Sequence, residues 1–112
     1  MNTFESLDQF NYHHRLAETD APALVIFTGP DCGACRGLKA LLEAGAVPGV
    51  KLFEVDVEQD MALSAELDVF HLPAMFLYRN GRFHHRVEAE LTAEAVNAAV
   101  QSALAGPSEE AP

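Results

Sequence analysis

The chain has 112 residues, the size of a single domain with one hydrophobic core, and its 49% hydrophobic and 21% charged residues exclude a low-complexity or largely disordered polymer. Seven Lys plus Arg against seventeen Asp plus Glu leave a net charge of −10, which repels phosphate backbones and anionic lipid surfaces, so no nucleic acid is expected as a partner. No apolar run approaches the roughly 20 residues that span a bilayer, and the longest candidate, Ala21 to Thr28, is short and broken by Pro22; a soluble protein without a membrane partner is expected. The start, Met1-Asn2-Thr3-Phe4-Glu5-Ser6, lacks the basic residues and apolar core of an export signal, which makes the reducing cytoplasm the expected compartment.

In chain order, Ser6 to Ala17 reads as a first helix, with Ser6 as N-cap and Leu7, Phe10, His14 and Ala17 on one stripe. Ala23 to Thr28 is a continuous apolar run, the mark of a central strand covered on both faces. Gly29-Pro30-Asp31 breaks it, and Cys32 to Ala44 favours helix, with Cys35, Leu38 and Leu42 on the buried stripe. Lys51 to Val57 alternates as a second strand, Phe53, Val55 and Val57 on one face and Leu52, Glu54 and Asp56 on the other. Gln59 to Leu67 makes a short helix, and Ala74 to Tyr78 a third strand. Asn80-Gly81 is a strong hairpin signal that pairs this strand with Arg82 to Val87. Thr92 caps a last helix with Val96, Ala99, Val100, Ala103 and Leu104 on its apolar stripe. Residues 106–112, rich in proline and acid, are expected to be a disordered acidic tail behind a single domain of residues 1–105.

Cys32-Gly33-Ala34-Cys35 lies between a buried strand and a helix, where a C-x-x-C pair can act as a redox dithiol. A bridge across so few residues constrains the unfolded chain little, so the purpose of the pair is chemical. Free amides and the positive dipole end at a helix start stabilise an anion, which favours Cys32 as the attacking thiolate, while Asp31 opposes it. Cys35, one turn in, faces the core and resolves. Gly33 and Ala34 are small and leave Cys32 open to a bulky disulfide.

With its strand-turn-Cys32-Gly33-Ala34-Cys35-helix unit, Leu72-Pro73-Ala74 some forty residues on, and the Asn80-Gly81 hairpin, the chain resembles the thioredoxin superfamily from about Ala23 to Leu104. The resemblance implies an α/β thioredoxin-like fold: a central mixed sheet of about four strands with helices on both faces. It also implies that Pro73 is a cis proline opposite the dithiol, and that the backbone beside it, with Leu72, pairs with an extended substrate segment. The chain departs from the family pattern mostly around the dithiol. It has Thr28 and Asp31 where thioredoxins usually carry tryptophan, Ala34 and Ala40 in place of prolines, and Ile26 in place of a buried acid. A carboxylate stands instead on the next strand, as Glu54 where the family has lysine. If Glu54 points under the dithiol it can accept the proton from Cys35; otherwise it lines a solvated strand face.

The five histidines do not make a metal site with the cysteines. His13-His14 and His84-His85 are adjacent pairs, and no second C-x-x-C or H-x-x-x-H unit supplies the four ligands of a structural zinc. His71 is expected at the rim of the dithiol groove or in a solvated loop. The sequence therefore predicts a thiol-disulfide oxidoreductase that needs no bound cofactor, acts on disulfide-containing proteins, and draws electrons from a thioredoxin reductase or another dithiol donor. The competing expectation is a thioredoxin-fold adaptor with little redox turnover.

Overall fold

A computed structural model describes residues 2–112. Among the described residues the elements run β1 (Phe4–Leu7), α1 (Tyr12–Ala17), β2 (Ala23–Thr28), α2 (Gly33–Glu43), β3 (Lys51–Asp56), α3 (Met61–Glu66), β4 (Ala74–Arg79), β5 (Arg82–Val87) and α4 (Ala93–Ala105). They build one mixed sheet in the order β1-β3-β2-β4-β5. β1, β3 and β2 are parallel; β4 runs antiparallel to β2, and β5 to β4.

All six residues of β2 are buried, as the unbroken apolar run predicts for a central strand. Alternation then sorts its side chains. Val25 and Phe27 join Tyr12, Leu16, Phe53, Val55, Leu63 and Phe76 on the face covered by α1 and α3. Leu24 and Ile26 join Leu38, Leu42, Leu52, Val96 and Val100 under α2 and α4. Thr92 caps α4 as expected, its hydroxyl accepting from the Ala95 amide at 3.1 Å.

The N-terminal expectation is corrected. Instead of a helix beginning at Ser6, Phe4–Leu7 forms a fifth strand on the outer edge of β3, with Phe4 opposite Leu52 and Leu7 opposite Val55. Three short-range bonds then stop the backbone from entering a helix directly. The Asp8 carboxylate accepts from the amides of Phe10 and Asn11 at 2.8 and 2.9 Å, and the Asn11 side chain accepts from the Asp8 amide at 2.8 Å. α1 starts only at Tyr12. Its buried residues are Tyr12 and Leu16, while Phe10, placed on the buried stripe by periodicity, is 81% exposed.

Of the C-terminal segment 106–112, Glu109 lies against β5, its amide donating to the His84 carbonyl at 2.8 Å.

Candidate active site

The turn between β2 and α2 carries the two cysteines. Asp31 takes a left-handed backbone, φ 57°, a conformation Asp tolerates better than most side chains, and this reverses the chain into α2. Cys32 follows in extended geometry as the N-cap of α2, and Cys35 lies one turn inside. The sulfurs are bonded as a disulfide, with Cα atoms 5.2 Å apart. Cys35 is buried and Cys32 half-buried, its sulfur receiving the Cys35 amide at 3.2 Å. A side-chain oxygen usually accepts that helix-start amide; here a sulfur does. Gly33 and Ala34 are exposed beside it, and a guanidinium nitrogen of Arg36 lies 3.7 Å from where a Cβ on Gly33 would stand.

The Leu72–Pro73 bond is cis. Sheet pairing brings it to the dithiol, because Ala74 is opposite Phe27, two residues before Gly29. A methyl of Leu72 sits 2.9 Å from the Cβ that Gly29 lacks, so Leu72 packs on the backbone of the turn before Cys32. Beyond Pro73 opens a cleft of about 430 Å³ lined by Val69, Phe70, His71, Pro73, Phe76 and Leu91 among others. Phe70, 77% exposed, and Leu91, 36% exposed, give it apolar surface beside the charged Asp68, Arg86 and Glu88.

Glu54 stands on β3 opposite Ile26 of β2, on the face that carries buried Leu52. Its two oxygens are held from two sides: the Thr28 hydroxyl donates to Oε2 at 2.7 Å, and Lys39 Nζ reaches Oε1 at 2.8 Å. Its side chain is 19% exposed, so this strand face is not the solvated one that the acids Glu54 and Asp56 suggest. Thr28 ends β2 just before the dithiol turn, and Lys39 follows Cys35 by four residues, one helical turn, on α2. Sequence reasoning identified the carboxylate but neither partner. The spacing from Cys35 to Lys39 was the available signal.

Comparison with known proteins agrees with this geometry. The Thioredoxin family model matches residues 3–102. The match therefore reaches further toward the N-terminus than the motifs beginning at Ala23, and takes in β1. The chain is 28% identical over 105 residues to "Thioredoxin Y, chloroplastic" of Oryza sativa, covering 91% of this chain and 60% of that protein's length. It is 26% identical over 81 residues to a thioredoxin-like protein of Synechocystis, covering 70% of this chain and 77% of that protein. Among solved structures, thioredoxin from Trypanosoma brucei brucei superposes with a TM-score of 0.75 at 18% identity, over 94% of each chain. With a family match across 3–102 and a Cys32–Cys35 pair bonded at the start of α2, the chain belongs to the thioredoxin family and carries a C-x-x-C disulfide at a helix start.

Proposed function

We propose that this protein reduces or exchanges disulfides in protein substrates through Cys32 and Cys35. The Cys32 thiolate attacks one sulfur of a substrate disulfide and displaces the other as thiolate, leaving a mixed disulfide. Cys35 then gives its proton to Glu54 and attacks Cys32 Sγ. The second substrate thiolate leaves, and the Cys32–Cys35 disulfide holds the oxidising equivalent. Two electrons pass to the substrate, and an external dithiol, from a reductase or another carrier, restores the centre.

The observation that carries this proposal is the Cys35 amide bonded to Cys32 Sγ at a helix N-terminus, in a half-buried residue. A donor aimed at that sulfur supports it as an anion before attack. For binding, the backbone beside the cis Leu72–Pro73 bond accepts a substrate strand, Gly33 and Ala34 leave room for its bulk, and the cleft behind Pro73 takes an apolar side chain. Thr28 and Lys39 support the role given to Glu54, because they draw the carboxylate into the space between the end of β2 and the first turns of α2.

Reduction of insulin by dithiothreitol tests the proposal. The wild type accelerates it and Cys32→Ser does not. Cys35→Ser accumulates a mixed disulfide with the substrate. If wild type and Cys32→Ser are equally inert, the oxidoreductase role is lost, and retention of a partner without turnover then identifies an adaptor.

A further inference from the structure

β5 is the outer strand of the sheet, and the edge it turns away from β4 carries unpaired backbone groups. Glu109 lies against that edge, held by one backbone and one side-chain hydrogen bond. Its amide donates to the His84 carbonyl at 2.8 Å, and its Oε1 accepts from the Arg86 amide at 2.6 Å, so both the acceptor and the donor around His85 are satisfied. The same oxygen stands 3.5 Å from His85 Nδ1. Among the described residues, these are the hydrogen bonds that 107–112 make with the rest of the chain.

Charge and anchoring make this more than a chance contact. Of the chain's seven Lys and Arg, Arg82 and Arg86 lie exposed within the six residues Arg82–Val87 together with the half-buried His85, in a protein whose net charge is −10, while His84 between them is buried against α4. Glu109 opposes this basic strip. The end of α4 is fixed beside it: His84 Nε2 donates to the Ala103 carbonyl at 2.7 Å and Arg79 donates to that of Leu104 at 3.1 Å. Gly106-Pro107-Ser108 then spans a cavity of about 620 Å³ lined by Val87, Ala99, Ser102 and Ala103 among others, so the tail bridges a hollow and rests on Glu109.

We propose that the outer edge of β5 is a docking strip for an acidic, extended segment of a partner protein, which adds as a sixth strand after displacing the chain's own C-terminus. The occupant is acidic because the strip is basic. A second copy docking β5 to β5 would set Arg and His against Arg and His, which disfavours it. Strand pairing supplies the main-chain bonds and the basic side chains supply selectivity. β5 runs toward Val87, opposite Met75 and two residues from Pro73, so a strand laid there leads to the dithiol end of the molecule.

Nuclear magnetic resonance titration of the full-length chain with the synthetic peptide Gly-Pro-Ser-Glu-Glu-Ala-Pro tests this. Glu109→Lys lies on the surface and frees the edge without touching the dithiol. We expect the peptide to bind this variant about tenfold more tightly than the wild type, whose tail competes in cis. Shifts should centre on the amides of His84 to Val87, and a peptide with both Glu replaced by Lys should not bind. Equal affinity for the two proteins, shifts elsewhere, or binding of the Lys peptide overturns the proposal. Dimerisation of Glu109→Lys in sedimentation would also overturn it, by identifying a second copy as the occupant.

Discussion

At position 32 a sulfur does what a hydroxyl or carboxylate oxygen does at most helix starts, accepting the amide of the third residue in, and the difference is that a sulfur can also leave as an anion. Once the disulfide is reduced, that amide and the dipole of α2 favour the charged form, so the Cys32 thiol should titrate below the ordinary cysteine range. Thiolate absorbance against pH checks this, and a titration at or above the ordinary range would remove the argument for Cys32 as nucleophile. Glu54 answers to a different measurement. Glu54→Gln keeps the size and an acceptor for the Thr28 hydroxyl but removes the proton acceptor. Resolution of the mixed disulfide should slow roughly 10²-fold while the first attack by Cys32 keeps its rate. Lys39→Met, which strips the cation from Glu54, should change the rate of resolution while the first attack by Cys32 keeps its rate. Unchanged resolution in Glu54→Gln would leave the carboxylate a purely structural group. The cysteines and Glu54 were legible in the sequence because their chemistry is carried by residue type. Thr28 and Lys39 were not, because they matter only through neighbours on other elements.

At the scale of elements, the β4–β5 hairpin shows how local chemistry sets geometry. Asn80 and Gly81 have φ of 53° and 77°, as a two-residue turn with both residues left-handed requires. Gly81 is constrained twice, since a Cβ there would stand 2.6 Å from the Ala17 carbonyl oxygen at the end of α1. Gly81→Ala should therefore destabilise the fold by at least about 1–3 kcal/mol for the backbone conformation alone, with the collision added, measured as a lowered denaturant midpoint. A midpoint within error of wild type would mean that the hairpin tip moves freely off α1. The strands β2 to β5 were readable because apolar runs and turn residues are local signals. β1 was not: only four residues long, it exists as a strand because the edge of β3 offers it hydrogen bonds, and its partner is nearly fifty residues away in the chain.

Across the whole molecule, Tyr12 and Tyr78 join α1 to β4 through hydroxyls 2.7 Å apart, deep in the face that α1 and α3 cover. Burial raises both phenols above the ordinary tyrosine value, Tyr12 the more strongly, and it is the largest cause for each. In the unfolded chain both ionise near the ordinary value of about 10, whereas the folded chain resists. The pair's contribution to stability is therefore complete below that value and lost as pH rises above it. These are the chain's two tyrosines, so phenolate absorbance reports on this pair alone. It should rise together with loss of helix in one alkaline transition, and phenolate appearing in a fully folded chain would contradict the buried arrangement. By itself the sequence determined the alternation of helix and strand, the central place of Ala23–Thr28, and the dithiol at a helix start, because each follows from periodicity and residue type over a few positions. Tertiary structure alone decided the edge strand β1, the Lys39 and Thr28 bonds to Glu54, and the seat of Glu109 on β5, because each is a contact between segments far apart in the chain that no local propensity encodes.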